Sequence, residues 1–433
     1  MIVLLRTLLC FVLLPFCATW ANADGLPLIE FKTPKGFAVS FYRSNVQDTV
    51  AIALAFDCGL ACDDPYGPAV GQLAPSLFLE GADGKSSSEL YESFQDVGGD
   101  FSISSTPDQT YAAISAPSKG IDGAVALANL VFRKPDFPMS RFIRKRETVA
   151  QRIEEASTYP EFRLQKAFFE TAFDKHPYVK SMLPEAADIR SITHSDILKW
   201  RESHLALNGI IISVVGKIDQ TQAGILVDRL LDGLPAKSNL PPVPKINFKS
   251  VISNPIQVKG DKGDQAILTM GNAYPRDIAL KDWLAGNMLS TIFSGDQKSR
   301  LFKVIREANG ASYGLQPSIN FFEAMGSNSV SGRVSKVALE STIDITLKAW
   351  RTFRVEGPTP SEVENAKANQ LNVLNILSRN HVQLAGTIRD YRTGHWSTAE
   401  LAGMANLIRG VNLNDPAVLK RYFSENPIIV VAQ

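Results

Sequence analysis

The residues of this chain best suited to chemistry are an arginine and a tyrosine close together in the C-terminal half. Arg306 falls on the last turn of a helix predicted within residues 299–314, SRLFKVIREANGASYG, and Tyr313 falls on the strand predicted to follow. The intervening Asn309-Gly310 favours a reversal, because glycine after a helix readily adopts a positive φ. Guanidinium and phenol groups can both donate hydrogen bonds to a carbonyl oxygen. The alternatives are that Arg306 only stabilises the helix dipole and Tyr313 only packs.

Alternating and continuous apolar runs predict the elements that must position this pair. A buried helix is predicted at residues 69–79. Ser86 and Glu89 form a capping box, which starts a helix that ends at Gly98-Gly99. Strands in the first half are predicted at residues 31–42, 50–56, 100–104, 109–116 and 209–216.

The second half of the chain repeats the first. LYESFQDVGGDFS (residues 90–102) aligns with LFKVIREANGASY (residues 301–313), and NGIIISVVG (residues 208–216) resembles NPIIVVA (residues 426–432). A repeat of about two hundred residues indicates two similar domains rather than a solenoid. We therefore expect an α+β fold of two homologous domains, each an antiparallel sheet with helices packed on one face.

The boundaries of these domains are predicted from composition. AKSNLPPVPKINF, at residues 236–248, is rich in proline and polar residues and has no apolar period, as is typical of a linker. The N-terminal domain is then expected at residues 24–235 and the C-terminal domain at residues 249–433.

The start of the chain has the features of a secretory signal peptide. Residues 1–23 contain one charge, Arg6, an apolar run and the small-residue end Ala21-Asn22-Ala23. The run is too short to favour a spanning helix, and the bulky Phe16 argues against lipid attachment at Cys17. We expect cleavage after Ala23, a periplasmic or secreted protein, and no integral membrane segment in the mature chain.

Charge and cysteine content narrow the function classes further. The 45 Lys and Arg residues nearly balance 44 Asp and Glu residues, so no basic field exists to attract nucleic acid. Cys58 and Cys62 are the cysteines outside the predicted signal peptide. In an exported protein they could form a local disulfide, with free thiols as the alternative. A zinc site at these cysteines would need further ligands at suitable spacing.

The order of several short motifs resembles the pitrilysin, insulinase and mitochondrial processing peptidase family, which are zinc peptidases of the inverted H-x-x-E-H type. The resemblance covers nearly the whole mature chain. The matching pieces are Leu79-Glu80-Gly81, Gly98-Gly99, DKHPY at residues 174–178, SRLF-x4-E-x-N-G-A-S-Y-G at residues 299–314 and TPSEVENAK at residues 359–367.

The zinc-binding motif of the resembled family is missing. The family's H-x-x-E-H should lie at residues 72–76, where this chain has Gln72 and Ser76 for the two histidines and Pro75 for the glutamate base. The third ligand, a glutamate, should fall near Arg152, and the nearby Glu154 lies on another side of the helix. Catalytic zinc needs three protein ligands and an activated water. We therefore expect no metal site and no cofactor in this chain.

The resemblance also implies what the chain does instead. In such proteins an arginine and a tyrosine from the C-terminal domain hold the substrate backbone across a cavity, and here they would be Arg306 and Tyr313. The expected function is a zinc-free subunit that binds peptide and pairs with a zinc-bearing H-x-x-E-H homologue. Residues 100–104 could be the edge strand that receives the peptide, and the alternative is that they form an ordinary paired strand. One alternative is a structural or peptide-holding protein, and another is an autonomous zinc peptidase with other ligands.

Overall fold

The computed structural model of the protein describes residues 26–63, 69–246, 255–309 and 314–433. The predicted signal peptide, the last two residues of the predicted linker and Tyr313 lie outside these ranges. No described helix is both long enough and apolar enough to cross a membrane.

The strands form two large sheets and one short pair. The first sheet has the order β1-β2-β8-β3-β7-β6, the second has the order β11-β12-β10-β13-β9, and β4 pairs with β5. The strands are β1 (Ile29–Lys32), β2 (Ala38–Arg43), β3 (Val50–Phe56), β4 (Gly81–Ala82), β5 (Lys85–Ser86), β6 (Asp100–Ser105), β7 (Thr110–Ala116), β8 (Ile211–Gly216), β9 (Ile256–Val258), β10 (Gln265–Pro275), β11 (Gln316–Phe321), β12 (Met325–Ser335) and β13 (Ile428–Ala432).

Groups of helices separate these strands along the chain in both halves. They are α1 (Val70–Leu73), α2 (Ser87–Asp96), α3 (Ile121–Arg133), α4 (Met139–Thr158), α5 (Pro160–Phe173), α6 (Pro177–Met182), α7 (Ala186–Ser191), α8 (His194–His204), α9 (Gln220–Leu230), α10 (Leu280–Ser294), α11 (Arg300–Asn309), α12 (Leu339–Glu356), α13 (Pro360–Leu377), α14 (His381–Thr393), α15 (Thr398–Ala402), α16 (Met404–Gly410) and α17 (Pro416–Tyr422). Short 3-10 helices occur at Leu60–Cys62 and Ala74–Glu80.

The predicted α+β fold of two homologous halves is confirmed. Strands β2, β8, β3, β7 and β6 in the first sheet occupy the places of β9, β13, β10, β12 and β11 in the second. The sheets are mainly antiparallel, but β2 with β8 and β9 with β13 run parallel, which the sequence analysis did not predict. Parallel neighbours need long crossovers, and here the intervening chain of each half supplies them.

Helices cover both faces of each sheet, not only one. Helices of the same half cover one face, and a helix from the other half covers part of the opposite face. Helix α14 lies on β3 and β8, and α5 lies on β13, β10 and β9. This exchange explains why β3, VAIALAF, is buried along its whole length: Ile52 and Leu54 pack in the first core, while Ala51 and Ala53 pack with the second.

Two predicted elements differ from the structure. The strand predicted at residues 31–42 is two paired strands, β1 and β2, with a turn in which Gly36 has φ +94°. The helix predicted at residues 69–79 is α1 followed by a 3-10 helix, in which Pro75 occupies a first-turn position. A proline has no amide hydrogen to donate, so the α-helical hydrogen-bond ladder does not continue through it.

Candidate functional site

The segment that should carry the zinc ligands is held in place by a buried aspartate. The Asp63 carboxylate accepts hydrogen bonds from the Gly71 amide at 2.6 Å and from Trp200 Nε1 at 3.1 Å, and His204 Nε2 lies 3.3 Å away. Burial raises the pKa of Asp63, although these partners oppose the rise. The contacts fix α1 against α8. Helix α1 is therefore short but firmly placed.

The residues at the expected zinc positions make structural contacts. Gln72 Nε2 donates to the Ser181 carbonyl at 2.9 Å, and Ser76 Oγ donates to the Leu73 carbonyl at 2.8 Å. Pro75 is buried. Zinc sites in proteins use Cys, His, Asp or Glu, and none of these three side chains is of that kind.

The predicted third-ligand region offers no replacement. Arg152 is exposed on α4, and Glu154 is exposed and paired with Arg190 at 2.8 Å. Across the part of the chain that the structure describes, no group of three or more His, Cys, Asp or Glu side chains could hold a metal ion.

The loop before α1 contains a disulfide between Cys58 and Cys62, whose Cα atoms are 6.0 Å apart. The 3-10 helix Leu60–Cys62 ends at the second cysteine and leads directly into Asp63. The Thr110 hydroxyl donates to the Cys58 carbonyl at 2.9 Å, which ties the loop to β7. The disulfide thus stabilises the loop that leads to Asp63 and α1.

Strand β6 is an edge of the first sheet, as expected for residues 100–104. Its inner neighbour is β7, and the 3-10 helix Ala74–Glu80 lies beside it. The sequence DFSISS alternates, with Phe101 buried and Ser102 and Ser104 exposed. It contains no proline, so every residue of this edge retains its amide hydrogen.

Arg306 lies where it was predicted, on the last turn of α11, and its side chain is exposed. Leu301 and Ile305 anchor the helix in the core. Arg300 fixes α11 to α13 through a bidentate ion pair with Glu362, at 2.8 and 2.6 Å. This ion pair lowers the pKa of Glu362 to about 2. Arg306 is therefore a solvent-facing cation on a fixed helix.

The pairing of Arg306 with Tyr313 stays a prediction, because Tyr313 lies outside the described residues. Strand β11 begins at Gln316. Gly314 has φ +75°, a conformation that favours glycine. The chain thus turns just before it enters β11.

The two halves meet where the β6–β7 turn touches the β11–β12 turn. The Asp108 carboxylate accepts hydrogen bonds from the Tyr178 hydroxyl and, at 2.8 Å, from the Glu323 amide. The Tyr178 hydroxyl in turn accepts from the Ala324 amide at 2.9 Å. Burial is the main reason that the pKa of Asp108 rises to about 6. We call Asp108, Tyr178, Glu323 and Ala324 the hairpin junction.

The hairpin junction was not predicted from the sequence. Its one sequence signal is the DKHPY motif, which contains Tyr178. His176 of the same motif accepts the Tyr178 amide at Nδ1, so its Nε2 carries the proton and donates to the Pro244 carbonyl at 2.7 Å. Burial lowers the pKa of His176. Its role is thus to pack the predicted linker against this loop rather than to bind metal.

Comparison with known families agrees with this geometry. Residues 39–185 match the family model described as insulinase (peptidase family M16), and residues 191–370 match the model described as peptidase M16 inactive domain. The chain belongs to peptidase family M16. The resemblance inferred from its motifs is therefore confirmed.

Among curated relatives of this M16 chain, an uncharacterized zinc protease of Rickettsia bellii is 22% identical over 66% of the chain and 68% of the relative. A probable mitochondrial-processing peptidase subunit beta of Schizosaccharomyces pombe is 21% identical over 82% of the chain and 79% of the relative.

Solved structures share the fold of the M16 chain. The crystal structure of a peptidase M16 inactive domain from Pseudomonas fluorescens has a TM-score of 0.85 at 20% identity, and covers 94% of this chain and 98% of that one. The periplasmic protease PqqL from Escherichia coli has a TM-score of 0.81 at 16% identity, and the match covers 99% of this chain and 49% of PqqL. At these identities the likeness establishes the fold alone.

Proposed function

We propose that this chain is the zinc-free subunit of an exported M16 peptidase. It binds an extended peptide along β6 and supplies Arg306 and Tyr313 to a homologous partner. The partner carries H-x-x-E-H, binds the zinc and cleaves the peptide. After removal of residues 1–23 the subunit works in the periplasm or outside the cell.

The main support for this proposal is that the residues at the expected zinc positions are not zinc ligands. Gln72, Pro75 and Ser76 are non-ligand residues with structural contacts, while the edge strand β6 and the exposed Arg306 remain in place. A chain that retains the family's binding elements without its metal ligands fits a role in which another chain supplies the metal.

The chemistry assigned to Arg306 and Tyr313 is electrostatic. Zinc-assisted attack on a peptide carbonyl creates a negatively charged oxygen, and preorganised donors stabilise that charge more than they stabilise the substrate. Arg306 would also orient the peptide backbone through its several N–H donors. Removal of one such donor typically lowers the rate about a hundredfold or more.

The test uses residues 24–433 mixed with an M16 homologue from the same genome that contains H-x-x-E-H. Cleavage of an unfolded polypeptide should require both chains. Arg306→Ala combined with Tyr313→Phe should lower kcat by at least about a hundredfold while complex formation is unchanged. Lys303→Ala is the matched control, since Lys303 is an exposed cation on the same helix. Undiminished cleavage with the double variant would refute the role of the pair.

A second function is favoured by one comparison. Cytochrome b-c1 complex subunit 1 of Bos taurus is 20% identical over 53% of this chain and 48% of that subunit. By analogy, the chain would be a structural or peptide-holding component without a part in chemistry. The same mixing experiment separates the two functions, because the structural role predicts complex formation and cleavage rates that do not depend on Arg306.

A further inference from the structure

One face of the second sheet is divided into an apolar part and a polar part. Helix α5 packs on Ile267, Ile428 and Val430, which point to one side of β10 and β13. Farther along the same face, the strands β10, β12 and β11 present small polar side chains instead. These side chains are Thr269, Ser318, Asn320, Ser327, Ser329 and Ser331.

This division follows from strand alternation. On β12 the side chains of Asn328, Val330 and Val334 point to the opposite face, where Ser290 of α10 donates to Asn328 at 2.9 Å. The intervening Ser329 and Ser331 must then point toward α5. A strand face that only packed against a helix would be expected to carry apolar residues, as β13 does here. The polar residues of β11 and β12 therefore lie on a face that α5 does not seal.

A cavity of about 260 Å³ occupies this place, between α5 and the polar part of the sheet. One wall consists of Leu164, Phe168 and Phe169, all at most 5% exposed. The opposite wall includes Ser318 and Ser329. Within the described ranges, neither of these two hydroxyls has a hydrogen-bond partner. We call this space the sheet-face cavity.

The sheet-face cavity is almost free of charge. Glu161 is the single charged residue among its lining residues. It is exposed at the rim and forms an ion pair with Arg333. A charged group entering the cavity would lose part of its hydration without gaining a counter-ion, which is unfavourable. A neutral group with a polar end would instead find both hydroxyl partners and apolar surface.

The volume also limits the ligand. Sites for whole small molecules usually measure about 300–1,000 Å³. A cavity of about 260 Å³ suits one or two side chains of a longer molecule instead. The occupant is therefore best sought in a polypeptide, which the position of the cavity also favours.

Strand β11, which lines the cavity, is connected to the proposed peptide-binding strand β6 through the hairpin junction. β6 and β11 are edge strands of the two sheets, and their hairpins meet at the hairpin junction. From there β11 extends about 17 Å toward the end of α11, which carries Arg306. Unlike β6, β11 contains a proline, Pro317, which lacks an amide hydrogen and disfavours pairing with a further strand. A bound peptide would therefore contact β11 by inserting a side chain into the cavity rather than by pairing with β11 as an additional strand.

We propose that the sheet-face cavity is a side-chain subsite for the bound polypeptide. It takes an uncharged side chain with a hydrogen-bonding end, such as that of glutamine, asparagine or tyrosine. This specificity rests on the proposed function, because it requires that peptides bind between the two halves.

The test measures peptide binding by residues 24–433 through fluorescence anisotropy. The probes are labelled peptides of about twelve residues, with one guest residue in a uniform alanine–threonine host. Because the host sequence is repetitive, the peptide can shift along the binding surface until the guest residue reaches the cavity. Glutamine and tyrosine guests should bind about tenfold more tightly than lysine and glutamate guests.

Two variants of one exposed residue test the location. Ser318→Trp fills the cavity and should abolish the preference. Ser318→Lys should shift the preference toward the glutamate guest, because it places a cation in the cavity. Thr291→Trp, an exposed position on α10, is the control and should leave the preference unchanged. Circular dichroism establishes that each variant is folded.

The outcomes separate this inference from the proposed function. If all guests bind equally and neither Ser318 variant changes the ranking, the subsite is refuted and peptide binding stands. If no peptide of the series binds, both proposals fail. If the preference appears but survives Ser318→Trp and Ser318→Lys, the specificity belongs to another surface and this assignment is wrong.

Discussion

Replacement of Tyr178 by phenylalanine is expected to weaken the contact between the two halves of the chain. The Tyr178 side chain is completely buried, and its hydroxyl bridges Asp108 of the first half and the Ala324 amide of the second. Phenylalanine fills the same space without the hydroxyl. The effect therefore isolates the two hydrogen bonds, with little change in packing.

The size of the effect depends on the two groups that lose their hydrogen-bond partner, the Asp108 carboxylate and the Ala324 amide. A hydrogen bond to a charged group contributes roughly 1.5–3 kcal/mol, and an unsatisfied buried amide costs roughly 1–3 kcal/mol. Local relaxation of the folded structure will reduce the sum of these two contributions. We expect the free energy of unfolding to fall by about 3 kcal/mol at pH 8, where the Asp108 carboxylate is ionised.

The loss should be smaller in acid. The pKa of Asp108 is raised from an ordinary value of 3.8 to about 6, mainly by burial, so the carboxyl is largely protonated at pH 5. The folded chain then holds more protons than the unfolded chain between these two values. This group's contribution to stability is complete below pH 3.8 and is lost as the pH rises through 6. At pH 5 both hydrogen bonds that the Tyr178 variant loses are between neutral groups, and the expected cost is about 2 kcal/mol.

The assay is urea unfolding followed by tryptophan fluorescence at pH 5 and pH 8, for the natural chain and for Tyr178→Phe. Tyr159→Phe is the matched control, because the Tyr159 hydroxyl is exposed and its bond to Glu155 is 3.3 Å long. The control should change stability by less than about 0.5 kcal/mol. A loss below about 1 kcal/mol at pH 8, or the same loss at both pH values, would refute the reasoning about Asp108.

Two further predictions concern packing and the anchoring of α11. Gly286→Ala should destabilise the C-terminal half by roughly 3 kcal/mol, since a Cβ there would lie 1.9 Å from the Tyr422 ring. Gly410→Ala has open space and should be nearly neutral in the same thermal unfolding experiment; equal effects would contradict the packing argument. Arg300→Gln should cost about 1 kcal/mol at pH 7. The pKa of Glu362 is lowered from 4.5 to about 2, so this contribution is present above pH 4.5 and lost as the pH falls through 2. A cost that persists unchanged at pH 2 would contradict it.

Local patterns predicted much of the fold because they act over a few residues. The all-apolar run of β3, the capping box of Ser86 and Glu89, and the end of α11 at Asn309 follow from side-chain burial and backbone geometry near each residue. The internal repeat predicted two homologous halves, and the matching strand orders confirm it. Predictions failed where a short-range feature interrupted a longer pattern, as at Gly36 and Pro75.

The candidate site was only partly visible in the sequence. The absence of zinc-ligand residue types at Gln72, Pro75 and Ser76 depends on residue identity, so sequence alone could identify it. That Gln72 donates to Ser181 depends on where α6 lies and required the structure. The hairpin junction was missed because Asp108 and Glu323 are 215 residues apart and nothing near either residue indicates the other.

The sequence by itself determined the family of this chain, its two-fold repeat, the residue types at the expected zinc positions and the position of Arg306 at a helix end. These properties depend on residue types and short spacings. Only the tertiary structure decided which helix covers which sheet. The exchange of α5 and α14 between the halves, and the polar face that α5 leaves open, depend on packing between distant segments. Apolar periodicity shows that one face of a strand or helix must be buried. Which element covers that face depends on the packing of the whole chain.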